Sequence, residues 1–121
     1  MAAAYGTLTV AKQWADQAYH VFGTVVVTAG DYATGGIALN LNQADVKASR
    51  TPLHVNIHGV NGYDYTYVKG SDNSNGLLMI RAQKNGASNY DPLIELQNAA
   101  PVGTGVSGDT ISFEGVWKGM L

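Results

Sequence analysis

The stretch Val21–Leu41, VFGTVVVTAGDYATGGIALNL, runs from β-branched residues through a glycine-rich segment into an alternating apolar pattern. It has two interpretations: a loop that holds a ligand, or a strand, a corner and a second strand. A phosphate-binding loop opens a helix, whereas Ile37–Leu41 alternates with the period of two that is typical of a strand. The stretch therefore predicts two strands joined by a corner, where Gly35 and Gly36 adopt backbone angles that other residues resist.

Strand patterns recur along the whole chain. Val21–Thr28 carries apolar residues on both faces, which predicts a strand covered on both sides. The other predicted strands are Thr7–Val10, Ile37–Leu41, Leu53–His58, Tyr63–Val68, Leu77–Ala82 and Thr110–Lys118. The turn formers between Val68 and Leu77 predict a hairpin. These patterns predict one all-β domain over residues 1–121, an antiparallel β-sandwich or a jelly-roll-like barrel with little helix.

Three segments do not fit the strand pattern clearly. Residues 12–19 fit two helical turns but fit a strand or loop equally well. Residues 91–98 offer Asp91 as a helix N-cap followed by Pro92, and a strand or loop is again an equal alternative. Residues 1–6 are small and carry no core pattern, so we predict a flexible N-terminal arm that orders on docking.

The composition excludes several classes of function. The chain has 121 residues, no cysteine and a net charge of −2, so it has no disulfides, no thiolate metal sites and no basic stripe for nucleic acid. No targeting segment and no apolar run long enough to cross a bilayer is present, so we predict no membrane partner and synthesis in the cytoplasm. Only 13% of residues are charged, which leaves a neutral surface suited to packing against protein.

Motifs for chemistry are weak in this sequence. His54 and His58 share a strand face but lie about 13 Å apart along it, too far for two ligands that each need to be about 2 Å from one metal ion. Residues 103–108 match GxGxxG by letter, but the motif is expected to precede a strand rather than open a helix. We therefore predict no catalytic residues, no metal site and no cofactor, and the chain is not expected to be an enzyme.

Aromatic residues are the remaining functional candidates. Tyr63, Tyr65 and Tyr67 share one face of a predicted strand, where they either form a platform that stacks sugars or pack, within the sandwich or against a neighbouring subunit. The candidate interface residues are Tyr5, Tyr32, Tyr63, Tyr65, Tyr67 and Trp117. A carbohydrate-binding module and a protein-packing subunit both stay open on these residues.

The segment Gly30–Leu39, GDYATGGIAL, resembles a recurring feature of small structural proteins from tailed-bacteriophage virions. The Tyr-rich hairpin that follows and the closing strand Asp109–Val116 occur in a similar order, over most of residues 21–118. The resemblance implies a small β-sandwich or jelly-roll subunit, commonly a homotrimer, without catalytic residues. It leaves a head, neck or tail location open. Among these, we predict a capsid decoration or cement protein, assembled in the host cytoplasm, that binds the major capsid protein on the capsid exterior.

Overall fold

A computed structural model describes residues 3–15, 18–42, 51–83 and 93–118. The strands are β1 (Tyr5–Ala15), β2 (Ala18–Val27), β3 (Ile37–Leu39), β4 (His54–His58), β5 (Asp64–Val68), β6 (Gly76–Ala82), β7 (Ile94–Glu95) and β8 (Ile111–Lys118). Helix is confined, within these ranges, to the single turn α1 (Thr104–Ser107). The predicted all-β fold with little helix is confirmed.

The strands form one mixed sheet in the order β4-β8-β2-β1-β3-β6-β5, with β7 beside β6. Its two outer strands, β4 and β5, follow each other in the chain and contact each other, so the sheet nearly closes into a barrel. The barrel-like alternative is therefore the observed one. Pairing is antiparallel except between β1 and β3, because the chain leaves β2, passes β1 and enters the sheet on the far edge of β1.

The strands of the opening stretch bury one face each. Val21, Val25 and Val27 of β2 are buried, whereas Val26 on the opposite face is 54% exposed. The prediction that this strand is covered on both sides is wrong, because the outer face of a barrel wall meets solvent. The alternation predicted from Ile37 to Leu41 is confirmed by the burial of its apolar residues, although the strand ends at Leu39.

The two segments left open between helix and strand both contain strand. Residues 12–15 extend β1 and residues 18–19 begin β2, and Ala15 pairs with Tyr19 across this hairpin. In the second segment Ile94 and Glu95 form β7 on the edge of β6; Asp91 and Pro92, the proposed helix start, lie outside the described residues. In each case pairing with a neighbouring strand decides the conformation, and local propensity alone does not show that pairing.

The expectation of a flexible arm is corrected for residues 3–6. The Ala4 amide donates to the Asp31 carbonyl at 3.0 Å, and the Ala4 side chain is buried. Tyr5 and Gly6 belong to β1 and pair with β3. Ala4 packs inside the barrel, where a small side chain fits. The absence of large apolar residues from this segment therefore did not indicate flexibility. Met1 and Ala2 lie outside the described residues.

Gly115 and Gly23 allow neighbouring groups inside the barrel to approach the backbone closely, because neither residue has a Cβ. A Cβ at Gly115 would lie 2.5 Å from the Trp117 ring, which packs fully buried against this residue. Gly23 lies where β1 carries a bulge between Val10 and Lys12, and a Cβ there would overlap the Thr9 carbonyl.

We expect Gly23→Ala to lower the free energy of unfolding by about 3 kcal/mol, because the new methyl group would also lie 2.7 Å from the Phe113 ring. Urea unfolding measures the change. Gly103→Ala is the matched control: its Cβ would meet only the Gly105 nitrogen, at 4.0 Å, so a change within about 0.5 kcal/mol is expected. Equal stabilities of the two variants would contradict the close approach at Gly23.

Candidate functional site

The glycine-rich corner between β2 and β3 is bound by the chain's own acceptors. The amides of Thr34 and Gly35 donate to the Asn98 Oδ1 atom at 3.0 Å and the Glu95 Oε2 atom at 2.6 Å. The Gly36 amide donates to the Ala33 carbonyl at 3.0 Å. Since all three amides are already bonded, the corner does not present the free N–H groups that an anion-binding loop uses.

Tyr32 links this corner to the barrel wall. Its hydroxyl donates to the Glu95 Oε2 atom at 2.7 Å and accepts from the Ile80 amide at 3.3 Å. Burial and the hydrogen bond to Glu95 raise the pKa of Tyr32 to about 12. The bonds from Tyr32 and the Gly35 amide lower the pKa of Glu95. The pair therefore stays as neutral phenol and carboxylate around neutral pH.

A second carboxylate, this one buried, holds the connection between β4 and β5. Asp109 is 8% exposed; its Oδ1 atom accepts from the Val60 and Asn61 amides, and its Oδ2 atom accepts from the Tyr65 hydroxyl at 2.7 Å. Burial alone would raise the pKa of Asp109, but the hydrogen bonds, led by that from Val60, outweigh it and lower the pKa. Burial and the bond to Asp109 raise the pKa of Tyr65.

Asn73 caps the opposite end of the barrel. It is fully buried, its Oδ1 atom accepts from the Trp117 indole at 3.0 Å, and its Nδ2 atom donates to the Asn42 side chain. Asn73 belongs to the predicted hairpin tip between β5 and β6, which is confirmed as an antiparallel pair. Its inward orientation was not foreseen, because its indole partner lies 44 positions further along the chain.

Most of the six candidate interface residues belong to the interior of the chain. Tyr32, Tyr65 and Trp117 are buried, and Tyr63 and Tyr67 are half-buried. Internal acceptors satisfy the hydroxyl or indole groups of the three buried residues, so their rings lie in the barrel interior. These three residues are corrected to core residues. Tyr5 differs from the other five, since it is 50% exposed on the outer face of β1.

Tyr5 belongs to an apolar row that crosses four strands on the outer face. Tyr5 of β1 lies beside Ala38 of β3. Leu77 of β6 lies between Ala38 and Val68 of β5. We call these four residues the apolar row; it spans about 14 Å across the sheet. Ala38, Leu77 and Val68 were not singled out from the sequence, because only the register of the parallel β1–β3 pair aligns them.

A shallow pocket of about 160 Å³ lies on the outer face of β2, β8 and β4. Its lining residues are Phe22, Asn56, His58, Ser112, Phe113 and Glu114. Ser112 is the cross-strand partner of His58, but among the described residues no hydrogen bond joins the side chains of His58, Ser112 and Glu114. The pocket is smaller than the roughly 300–1,000 Å³ of ordinary ligand sites, so it adds no support for a catalytic function.

The three histidines do not converge on one point. His54 and His58 lie at the two ends of β4, and His20 on β2 is separated from His54 by Val116 of the intervening strand β8. Among the described residues, no group of three histidine or acidic side chains is placed to hold a metal ion. The described ranges also contain no helix of the length and hydropathy required to span a membrane.

Neither a family model, nor a curated protein, nor a solved structure matches this chain. The functional argument therefore depends on the geometry described above.

The two carboxylates predict a loss of stability in acid. Because the pKa of each is lower in the folded protein, their contribution is full above their ordinary pKa values of 4.5 and 3.8 and is lost as pH falls through the folded values. Urea unfolding between pH 7 and pH 3 should show this decline. Glu95→Gln should shrink it; an unchanged acid dependence in this variant would contradict a charged Glu95 at the corner.

Asp109→Asn should lower the free energy of unfolding by about 1–3 kcal/mol at neutral pH, because an amide nitrogen cannot accept the bonds that one carboxylate oxygen accepts now. Asp64→Asn is the control, since Asp64 makes an exposed ion pair with Arg81 at 3.4 Å that is expected to contribute under about 1 kcal/mol. Chemical denaturation of both variants gives the comparison. A smaller loss for Asp109→Asn than for the control would contradict the structural role of Asp109.

Proposed function

We propose that this protein is a phage virion structural protein, a decoration or cement protein that binds the major capsid protein lattice as a homotrimer on the capsid exterior. The apolar row is the observation that carries the proposal. It places an exposed tyrosine beside aliphatic side chains on a rigid sheet, and tyrosine is enriched where proteins pack against each other. The sequence resemblance to small structural proteins of phage virions supports the same function.

The surface around the apolar row favours protein contact. Charged residues are scarce in the sequence, so little charge has to be desolvated when this face is covered. Among the other exposed apolar side chains, Val26 of β2 lies opposite Thr7, two residues along β1 from Tyr5. Val60 lies in the connection between β4 and β5 and needs no special explanation. The row differs because strand register places its members side by side.

Internal hydrogen bonds support a mechanical function. Glu95, Asp109 and Asn73 fix three connections between strands, and a stiff subunit transmits force between the proteins that it bridges. A cement protein that spans two capsid subunits raises the free energy needed to separate them under internal DNA pressure. Several weak contacts made by one trimer raise the overall affinity without new contacts in each subunit.

Carbohydrate binding through a tyrosine stripe has less support. That alternative required Tyr63, Tyr65 and Tyr67 to present their rings to solvent. Tyr65 is buried with its hydroxyl bonded to Asp109, and the other two are half-buried. A sugar ring therefore has no continuous aromatic platform on this strand.

Two measurements test the proposal directly. Light scattering coupled to size-exclusion chromatography should give the mass of a trimer, and co-sedimentation should show binding to expanded phage capsids that lack their decoration protein. A monomer that does not bind capsids but is retained on a glycan array would overturn the proposal.

Tyr5→Ser should weaken capsid binding by at least about tenfold, since truncating a tyrosine in the centre of an interface removes much of its binding free energy. Val60→Ser is the control, because Val60 is 74% exposed but lies outside the apolar row. Co-sedimentation over a range of protein concentrations gives both affinities. If both variants bind equally well, the row is not the docking surface.

A further inference from the structure

We infer that Asn61 is a site of spontaneous deamidation, and that its conversion loosens the connection between β4 and β5. The inference does not depend on the proposed virion function. The chain contains three Asn-Gly pairs, at residues 61–62, 75–76 and 85–86. Glycine after asparagine favours this reaction because no Cβ hinders the approach of the following amide nitrogen. The structure separates the first pair from the second, and the third lies outside the described residues.

The reaction needs only water. The Gly62 amide nitrogen loses its proton to solvent base and forms a bond to the Asn61 Cγ atom. The bond from Cγ to Nδ2 breaks, and the nitrogen leaves as ammonia after taking up a proton, which leaves a five-membered succinimide. Water then adds to one of the two imide carbonyls and opens the ring, so the products are aspartate or isoaspartate. The net change is amide plus water to acid plus ammonia.

The surroundings of Asn61 allow this ring closure. Asn61 and Gly62 are both exposed, and a Cβ at Gly62 would meet no atom within 4 Å. No hydrogen bond in the described part of the chain engages the Gly62 amide as a donor. Gly62 adopts a φ of +95° in an irregular connection rather than in a paired strand. The nucleophile is therefore exposed to water and not held in a sheet.

Asn75–Gly76 has the same sequence in a blocked environment. The Asn75 Oδ1 atom accepts from the Asp72 amide at 3.1 Å, and its Nδ2 atom donates to the Ser71 hydroxyl at 2.6 Å. Gly76 begins β6, is buried, and pairs with Leu39. The Tyr67 ring also packs directly against Gly76. Succinimide formation would have to break these contacts, so the fold protects this second pair.

Conversion of Asn61 damages the site that Asp109 organises. The Asn61 Nδ2 atom donates to the Gly105 carbonyl at 2.9 Å, and a carboxylate cannot replace that donor. The new charge lies next to the buried Asp109 carboxylate, whose Oδ1 atom accepts the Asn61 amide at 3.2 Å. Isoaspartate also adds a methylene group to the backbone between Val60 and Gly62. The connection between β4 and β5 therefore loses a hydrogen bond that anchors it. This connection lies where the barrel is not closed by paired strands.

The test is peptide mapping by mass spectrometry after incubation of the purified full chain at 37 °C and mildly alkaline pH. In the folded protein, we expect conversion at Asn61 to be at least tenfold faster than at Asn75. In urea the two rates should become similar, because both asparagines precede glycine. Equal rates in the folded protein, or a rate at Asn61 that rises more than tenfold in urea, would overturn the inference.

Two variants separate the chemistry from its consequence. Asn61→Gln should abolish the fast conversion, because its side chain would have to close a six-membered ring, while Asn75 stays as in the parent protein. Asn61→Asp carries the product charge from the start, and its thermal midpoint should be lower than that of Asn61→Gln by about 4 °C or more. Fast conversion at position 61 in Asn61→Gln, measured by peptide mapping, or equal midpoints of the two variants, would contradict the inference.

Discussion

The corner between β2 and β3 is the constraint on which the rest of the barrel depends. Gly35 and Gly36 take φ values of 97° and 131°, which L-residues with a Cβ adopt only under strain. The turn lets the chain pass β1 and pair with its far edge in the parallel direction. Without that parallel pair, β6 and β5 would have no strand to extend and the sheet would end at β1.

Two carboxylates anchor segments of this protein by hydrogen bonds, as backbone hydrogen bonds between strands do in a closed barrel. Glu95 binds the corner before β3, and Asp109 binds the connection that brings β4 beside β5. Glu95 accepts a tyrosine hydroxyl and one backbone amide. Asp109 accepts a tyrosine hydroxyl and two backbone amides, and these donors offset the cost of removing its charge from bulk water. Two of the nine acidic side chains in this weakly charged sequence, Glu95 and Asp109, thus anchor segments of the chain through internal hydrogen bonds.

Local pattern predicts the strands of this fold, but not their partners. The alternation of Ile37 and Leu39 is enough to place β3 and its buried face. The inward orientation of Tyr65 could not be predicted, because its acceptor Asp109 lies 44 positions away and period-two spacing does not say which face is covered. The apolar row was inaccessible for the same reason, since it exists only through the register of β1, β3, β6 and β5.

The distribution of side chains between the barrel interior and the outer face of the sheet bears on function. Tyr32 and Tyr65 donate their hydroxyl groups to Glu95 and Asp109. Two amides of the glycine-rich corner donate to Glu95 and Asn98. These polar groups therefore stabilise the fold and are not free to bind a ligand. In the proposed function, the partner binds the outer face of the sheet through apolar contacts. A surface of that kind is suited to a protein lattice, because repeated flat contacts gain affinity through number rather than through individual polar specificity.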